Sequence, residues 1–235
     1  MALSAQQESS TKRSLGQTRS VLVVEDDALL RELLAMALER EGFIVETAAS
    51  AADAKRIFNR GDHDALVLDV SLGPGPTGFD LADALLARAP FTAVVFLTNL
   101  PDPRFLERDS KDLPKNIAYL RKSNLSDVDV VIAALDSALR GASLAEFRHD
   151  RDPERPLGNL TRKQISVLRL AALGKSNAQI AQDRGVSVKA IEDTITRAGV
   201  ALGIDDSGEG NLRVAIVRRF LFVTAGSPPE VISHS

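Results

Sequence analysis

The sequence predicts an α/β domain with a doubly wound, five-stranded parallel sheet, followed by a smaller all-α domain. Two observations predict this fold class. Within residues 20–140, short apolar runs alternate with segments of helical periodicity, which is typical of βαβ units and of a parallel sheet covered on both faces. Residues 158–225 show helical periodicity alone. A length of 235 residues accommodates one to two domains.

Five apolar runs are the predicted strands of the first domain. They lie near residues 21–24, 43–47, 65–68, 93–97 and 117–120, and amphipathic helices are predicted near residues 27–41, 51–60, 78–88 and 125–140. A segment between the last two strands, residues 99–116, interrupts this alternation. It contains Pro101, Pro103 and Pro114, and proline restricts its own backbone and that of the preceding residue. We therefore expect any helix there to be short, and the segment to be irregular or mobile.

Capping residues mark the helices of the second domain. Thr161 and Gln164 have the spacing of a capping box at the start of the first helix. Gly185 separates a second helix, residues 176–184, from a third that Ser187 caps, and this arrangement predicts a helix-turn-helix. The residues expected to face inward are Val188, Ile191, Ile195, Ala198 and Leu202 in the third helix, and Leu212, Ile216 and Phe220 in a fourth helix over residues 211–223.

Three segments are predicted to lie outside the folded domains. Residues 141–157 mix charge with prolines and are interpreted as a linker, and residues 1–19 and 226–235 as disordered tails. The first 19 residues are polar and lack the apolar core of a signal peptide. No apolar run reaches the ~20 residues that a membrane helix needs. We therefore expect a cytoplasmic protein without membrane contact.

Composition and charge narrow the function classes. The chain has no cysteine, which excludes a disulfide framework, a thiol nucleophile and a cysteine-based zinc site. Residues 20–140 contain 13 basic and 20 acidic side chains, a net charge of −7, whereas residues 158–225 contain 10 basic and 6 acidic side chains, a net charge of +4. This asymmetry makes the basic domain a candidate for nucleic-acid contact, although a solvated surface explains the same charge.

Polar side chains follow four of the predicted strands at the point where each strand ends. Glu25 and Asp26 follow the first strand and Asp69 the third; Thr98 ends the fourth and Lys122 follows the fifth. Because the carboxyl ends of parallel strands meet at one edge of a sheet, these side chains should converge on one crevice. Taken singly, such an Asp is more often a turn or cap residue, and such a Thr or Lys structural or solvated. The ordered set instead indicates a site for a divalent cation and a phosphoryl group.

The strand-end groups suit Mg²⁺ and phosphoryl chemistry. Magnesium takes oxygen ligands, often one or two carboxylates together with phosphate oxygens. Asp26 and Asp69 are the candidate ligands, and Glu25 is a candidate for holding a coordinated water. A carboxylate is a competent nucleophile that forms an aspartyl phosphate. The oxygens of the transferred group need neutralising, which Lys122 could do as a point charge and Thr98 as a hydrogen-bond donor.

Four pieces of sequence carry these groups: VLVVEDD at 21–27, LVLDVSLGPGPTG at 66–78, VVFLTN at 94–99 and YLRKS at 119–123. Together they resemble the flavodoxin-like receiver domain of bacterial two-component response regulators, over about half of the chain. The resemblance implies that Asp69 is the phosphoacceptor of a sensor histidine kinase. It also implies a metal site of Glu25, Asp26, Asp69 and the Ser71 carbonyl, a switch hydroxyl at Thr98, a phosphate-binding Lys122 and a switch aromatic at Tyr119. Tyr119 could equally be a static core aromatic.

Four features depart from the usual pattern of that family. Asn99 stands where a small residue is usual, and Ser123 stands where proline usually follows the lysine. The loop between Asp69 and Gly78 is one residue longer than the common pattern. Residues 99–116 replace a helix that commonly relays the switch. These departures bear on the kinetics of phosphorylation and on the surface that would relay the switch. They leave the phosphoryl chemistry itself plausible.

The helical domain carries the residues Leu160-Thr161, Val167-Leu168, Gly174, Ser176-Asn177, Ile180-Ala181, Gly185-Val186-Ser187 and Leu202-Gly203-Ile204. With them, residues 158–204 resemble the LuxR/NarL-type helix-turn-helix. The resemblance implies a homodimer whose third helix enters the major groove of DNA. With its apolar stripe inward, that helix presents Lys189, Glu192, Asp193, Thr196 and Arg197.

Because the third helix carries acidic residues, the sequence leaves open whether this helix contacts DNA bases. The family commonly carries a lysine where Glu192 stands. Glu192 or Asp193 could accept a hydrogen bond from cytosine N4, and Asp193 could instead only stabilise the helix through Lys189 and Arg197, four residues away on either side. Phosphate contacts could come from neighbouring helices through Lys163, Lys175, Arg184, Arg213, Arg218 and Arg219.

Three hypotheses follow for the function. The leading one is a DNA-binding transcription regulator, phosphorylated on Asp69 with Mg²⁺ and without a separate enzymatic activity. The second is an atypical regulator whose helical domain docks another protein, which the acidic third helix favours. The third is a stand-alone metal-dependent phosphatase. The absence from the sequence of an added general base near Asp69, and of a catalytic domain, argues against it.

Overall fold

The computed structural model describes residues 18–114, 116–125, 127–152, 155, 157–204 and 211–225. The predicted disordered tails, except for Thr18 and Arg19, lie outside these ranges. The chain divides into two compact units. The first contains the described residues up to Thr98 with Asn116–Ala118 and Leu125–Ala145, and the second contains the described residues within Asn99–Lys115, Tyr119–Asn124 and from Glu146 onwards.

The sheet has the order β2-β1-β3-β4-β5, and β1 pairs with β2 and β3, and β3 with β4, in parallel. Its strands are β1 (Ser20–Val24), β2 (Ile44–Ala48), β3 (Ala65–Leu68), β4 (Ala93–Thr98) and β5 (Ile117–Arg121). Four helices accompany them, α1 (Ala28–Arg40), α2 (Ala51–Phe58), α3 (Gly78–Leu86) and α4 (Asp129–Leu139). The predicted fold class is confirmed, and each strand lies within two residues of its predicted range.

Burial explains why the central strands read as continuous apolar runs. Every residue of β3 and β4 is buried, as are Val21–Val24 of β1, because helices cover both faces of a doubly wound sheet. β2 lies at one edge of the sheet and is mostly exposed. Its mixed composition reflects that position.

Side-chain caps start the helices that lead away from the strand ends. Asp27 accepts a hydrogen bond from the Leu30 amide at 2.9 Å and caps α1. Thr77 and Asp80 form a capping box at the start of α3. Such caps satisfy amide groups that have no partner within the helix. The helices therefore begin directly after the strand-end loops.

The second unit contains α5 (Arg162–Ala172), α6 (Asn177–Arg184), α7 (Val188–Ala201) and α8 (Leu212–Ala225). Thr161 and Gln164 form the predicted capping box. Gly185 ends α6 with φ +62°, a left-handed conformation that glycine adopts without steric cost. The sequence α6, Gly185, α7 confirms the predicted helix-turn-helix.

The core of the helical unit matches the predicted inward faces with one exception. Its buried residues include Ile165 and Leu168 of α5, Ile191 and Ile195 of α7, and Ile216 and Phe220 of α8. Val188 was expected to face inward, but 42% of it is exposed. The reason is its place in the first turn of α7, before the helix reaches the core.

Two segments that the sequence left irregular contain short 3-10 turns. Pro103–Leu106 is the turn between β4 and β5, and Ala145–Phe147 and His149–Arg151 lie within the predicted linker. Phe147, Arg148 and Asp150 are buried, so this part of residues 141–157 is packed. Among the described residues, none of the helices combines the length and the apolar character needed to cross a membrane.

Candidate functional site

Parallel pairing brings the ends of β1 and β3 to the same level. Val24 lies opposite Leu68 in the register, and the Asp69 amide donates to the Val24 carbonyl at 2.8 Å. On the other side of β1, the Glu25 amide donates to the Ala48 carbonyl at 3.1 Å. These bonds hold the backbones of Glu25 and Asp69 at one edge of the sheet.

Three carboxylates meet at this edge. Glu25, Asp26 and Asp69 each offer one carboxylate oxygen, and the three oxygens all lie within 4.8 Å of one another. Glu25 and Asp69 are buried, whereas Asp26 is exposed. Like charges this close destabilise one another unless a cation or a proton intervenes. Oxygen ligands of this kind suit a hard divalent cation, so the donor set fits a metal site.

The third acidic residue of the EDD sequence does not belong to the cluster. Asp27 caps α1 through its side chain, so its carboxylate serves the helix terminus. Arg31, one turn into α1, donates to the carbonyl oxygens of Glu25 at 2.7 Å and of Asp26 at 3.3 Å. Arg31 therefore holds the backbone of Glu25 and Asp26 in place. The sequence did not predict this role, although the position of Arg31 in the first turn of α1 could have suggested it.

The loop after β3 folds tightly around Asp69. The Ser71 amide donates to Asp69 Oδ1 at 3.0 Å, and the Gly78 amide donates to the Val70 carbonyl at 2.9 Å. A Cβ atom at Gly78 would lie 2.1 Å from the Asp69 carbonyl oxygen, which is far inside van der Waals contact. Only glycine fits there. Gly78 ends the GPGPTG run, and the sequence reasoning did not include it among the site residues.

The remaining predicted groups occupy the ends of β4 and β5. Thr98 is the last residue of β4 and is fully buried, and β4 pairs with β3, which leads to Asp69. Lys122 begins a 3-10 turn directly after β5. Tyr119 of β5 is also fully buried, and its hydroxyl donates to the Leu100 carbonyl at 3.1 Å. Tyr119 thus points inward, and its hydroxyl is bonded to the start of the β4–β5 connection.

The five predicted recognition residues share one exposed face of α7. Lys189, Glu192, Asp193, Thr196 and Arg197 are all exposed. The opposite face carries the buried residues Ile191, Ile195 and Ala198. Arg197 Nε donates to the Asp193 carbonyl at 3.0 Å, so this contact is made to the backbone. The face therefore displays both acidic and basic groups to solvent.

Three of the six basic residues predicted to reach DNA phosphates make polar contacts within the helical unit. Lys175 Nζ lies 2.5 Å from Asp183 Oδ2. Arg184 donates to Ser166 Oγ at 2.6 Å. Arg213 donates to Asn177 Oδ1 and to the Lys175 carbonyl. These side chains hold the helices of the unit together, which limits their freedom to meet a phosphate.

Family models match both units. A model of the response regulator receiver domain matches residues 21–108, and a model of bacterial regulatory proteins of the luxR family matches residues 158–198. The first range contains Glu25, Asp26, Asp69 and Thr98. The second contains α5, α6 and most of α7. The two matches agree with the resemblances that the sequence pieces carry.

Three relatives illustrate the similarity. The transcriptional regulatory protein TcrA of Mycobacterium tuberculosis is 44% identical over 78 residues, which are 33% of this chain and 30% of TcrA. The oxygen regulatory protein NreC of Staphylococcus aureus is 25% identical over 205 residues, which are 80% of this chain and 93% of NreC. A solved structure of two RcsB dimers bound to two parallel DNAs has a TM-score of 0.57 at 20% identity and covers 87% of this chain and 98% of that chain. This last similarity concerns the fold.

Proposed function

Because the chain is a response regulator with a receiver domain and a LuxR-type helix-turn-helix domain, we propose that it controls transcription by binding DNA in a phosphorylation-dependent way. The clustered carboxylates of Glu25, Asp26 and Asp69 support the proposed phosphorylation. The exposed face of α7 supports the proposed DNA binding. TcrA is named a transcriptional regulatory protein, which supports the same interpretation.

Asp69 is the proposed phosphoacceptor. One of its carboxylate oxygens would attack the phosphorus of a phosphohistidine on a sensor histidine kinase, forming a P–O bond while the P–N bond breaks and its electron pair returns to the imidazole. Mg²⁺, held by Glu25, Asp26, Asp69 and the Ser71 carbonyl, would supply charge neutralisation at the phosphoryl oxygens. The Ser71 amide already donates to Asp69 Oδ1, which orients the carboxylate.

Thr98, Lys122 and Tyr119 complete the proposed input site. The Thr98 hydroxyl would donate to a phosphoryl oxygen as the switch group, and Lys122 would neutralise another as a point charge. Tyr119 would respond to the change, because its hydroxyl is bonded to the backbone that follows Thr98. We propose no enzymatic activity beyond self-catalysed phosphorylation and dephosphorylation of Asp69.

The helical unit is the proposed DNA-binding part of the chain. The α7 helix would lie in the major groove and present Lys189, Glu192, Asp193, Thr196 and Arg197 to base edges and phosphates. A homodimer would place two such helices on paired half-sites. Since the protein has to meet both a kinase and DNA, we place it in the cytoplasm.

Labelling by a phosphodonor tests the proposed phosphorylation of Asp69. Incubation of the full chain with a small phosphodonor should label the wild type only when Mg²⁺ is present, and Asp69→Asn should remain unlabelled. Asp27→Asn is the matched control, because Asp27 lies in the same acidic run but caps α1, and asparagine is an equally good cap. Equal labelling of the wild type and Asp69→Asn would refute the assignment.

Footprinting over a range of salt concentrations tests the proposed DNA binding by the helical unit. The phosphorylated chain should protect a defined sequence, with an affinity that falls as salt rises. Binding without sequence preference, and without response to the phosphodonor, would contradict the proposed function.

An alternative output is docking of another protein by the helical unit. Two observations favour it: Glu192 and Asp193 are exposed on α7, and Arg184 and Arg213 are bonded within the unit. A pull-down that retains a protein partner while every DNA probe fails would support this alternative over transcriptional control.

A further inference from the structure

The docking segment, residues 99–109, follows the predicted switch residue Thr98 yet belongs to the helical unit. Sequence order places it between β4 and β5 of the sheet, whereas its packing places it in one compact unit with Glu146 and the residues beyond. Its 3-10 turn, Pro103–Leu106, begins after the cap residue Asp102, which accepts from the Arg104 amide at 3.0 Å. The segment is therefore ordered and attached to the output side.

A buried ion pair forms the first attachment. Arg104 Nε lies 2.7 Å from Asp102 Oδ1, and Arg104 Nη2 lies 2.6 Å from Asp102 Oδ2. Only 1% of the Asp102 side chain and 8% of the Arg104 side chain are exposed. Arg155 adds a further contact to Asp102 Oδ2 at 3.1 Å. A bidentate pair of this kind fixes orientation as well as charge.

The same guanidinium reaches the turn that leads into α5. Arg104 donates to the Leu157 carbonyl at 2.6 Å and to the Leu160 carbonyl. Leu157 and Leu160 are buried members of the helical core, and Leu160 directly precedes the cap residue Thr161. Arg104 therefore joins the docking segment to the start of the output domain by two hydrogen bonds.

Phe105 is the second attachment. Its ring stacks on Phe220 of α8 with centroids 5.6 Å apart and an interplanar angle of 12°, and it packs against the helical core. Arg169 of α5 donates to the Phe105 carbonyl. Stacked aromatic pairs add to the free energy of area burial and have a preferred geometry. Phe105 thus contributes to the packing of both α5 and α8.

The docking segment continues along α5 beyond the turn. Arg162 donates to the Glu107 carbonyl at 3.0 Å and lies 3.7 Å from Asp109. Glu107 has φ +60°, a left-handed conformation that is uncommon for a residue with a side chain. Such a conformation persists only where surrounding contacts hold it.

The connection from the sheet to these attachments is short. Asn99, Leu100 and Pro101 alone separate Thr98 from Asp102, and each residue spans at most ~3.3–3.6 Å. Tyr119 is bonded to the middle of this connection through the Leu100 carbonyl. Proline at position 101 stiffens it further. Thr98 is therefore joined to the attached residues Asp102 and Arg104 by a short, restrained stretch of chain, and Tyr119 is hydrogen-bonded to that stretch.

We infer that Phe105 and Arg104 are positioning residues that couple the phosphorylation state of Asp69 to the DNA affinity of the helical unit. This inference rests on the proposed function. A modification shifts a conformational equilibrium only through interactions that differ between the two states. The stack of Phe105 on Phe220 and the bonds of Arg104 to Leu157 and Leu160 are the interactions that differ.

The test measures the response ratio, which is the DNA affinity of the full chain with a small phosphodonor divided by its affinity without one. Allosteric coupling of typical size predicts a response ratio that differs from 1 by about 5–150-fold in the wild type. Phe105→Ala should bring the ratio to about 1. Phe91→Ala is the matched control, because the Phe91 side chain is 99% exposed in the first unit, and it should keep the wild-type ratio.

Two further variants separate coupling from folding. Phe105→Tyr keeps the aromatic stack and should restore the wild-type ratio. Arg169→Gln removes the donor to the Phe105 carbonyl without deleting an aromatic ring, and it should reduce the response ratio. This variant keeps the inference testable if Phe105→Ala does not fold. A wild-type ratio in both Phe105→Ala and Arg169→Gln, with only the absolute affinity or the melting temperature changed, overturns the inference. A wild-type chain with a ratio of 1 overturns the proposed function and the inference with it.

Discussion

Gly78 and the carbonyl of Asp69 are in direct backbone contact. A Cβ atom added at Gly78 would stand 2.1 Å from the Asp69 carbonyl oxygen and 2.9 Å from its carbonyl carbon. The Gly78 amide is at the same time bonded to the Val70 carbonyl. The first residue of α3 therefore fixes the backbone of the loop that follows β3, and the geometry of the candidate site depends on the absence of a side chain at position 78.

Gly78→Ala should displace the Asp69 backbone, because the neighbouring atom is backbone and cannot rotate away. A misplacement of about 1 Å can lower a reaction rate by about 100-fold, so the rate of labelling by a phosphodonor should fall by that order. Gly61→Ala is the control, since a Cβ there would meet its nearest atom, in His63, at 3.4 Å. Labelling of Gly78→Ala at the wild-type rate would show that the loop has an alternative path.

Asp102→Ala should destabilise the helical unit strongly. It leaves the Arg104 guanidinium buried without its carboxylate, and breaking a buried ion pair in this way costs about 3–5 kcal/mol. Chemical denaturation monitored by circular dichroism measures the free energy of unfolding. Asp136→Ala removes the exposed pair with Arg140 and should cost less than about 1 kcal/mol. Similar losses in the two variants would show that burial does not decide the effect.

Stability should decrease at mildly acidic pH because of His149. Burial lowers the pKa of His149 below 6.5, and the nearby Arg121 cation lowers it further, while Asp152 and Asp150 act in the opposite direction. His149 Nδ1 also accepts a hydrogen bond from the Arg121 amide at 3.1 Å, which protonation of that nitrogen would abolish. The neutral ring therefore stabilises the fold above the unfolded pKa of about 6.5. That contribution is lost as the pH falls through this value towards the lowered pKa of the folded state.

His149→Gln measures this contribution. The decrease in melting temperature between about pH 7.5 and about pH 5.5 should be smaller in His149→Gln than in the wild type, because glutamine does not titrate in that range. Other titrating groups affect both proteins alike. An equal decrease in the two proteins would assign the pH dependence to those other groups.

Lys189→Ala should weaken DNA binding uniformly across sequences. Lys189 is exposed on α7, and loss of one phosphate contact reduces the slope of log affinity against log salt by about 1. Lys55→Ala is the control, since Lys55 is exposed on α2 of the first unit and should leave the slope unchanged. An unchanged slope in Lys189→Ala would remove this residue from the DNA interface.

The sequence predicted most of the fold because its signals are local. A few consecutive residues are enough to recognise the apolar runs of β3 and β4, and the same holds for the capping box of Thr161 with Gln164. The acidic cluster was predicted for the same reason: Glu25 and Asp69 directly follow strands, and the parallel topology then places strand ends together. Asp27 was left out of the predicted cluster without being given a role, and the structure shows that it caps α1 by accepting a hydrogen bond from the Leu30 amide.

The sequence by itself determined the elements, their order and the groups at the strand ends, since periodicity and capping depend on near neighbours. Tertiary structure alone decided that Arg104 bonds to Leu157 and Leu160, more than fifty residues away, and that residues 99–109 belong to the helical unit. The prolines of that segment indicate irregular backbone but carry no information about which surface it covers. Contacts between distant residues depend on how the packed elements meet, and no local pattern encodes that.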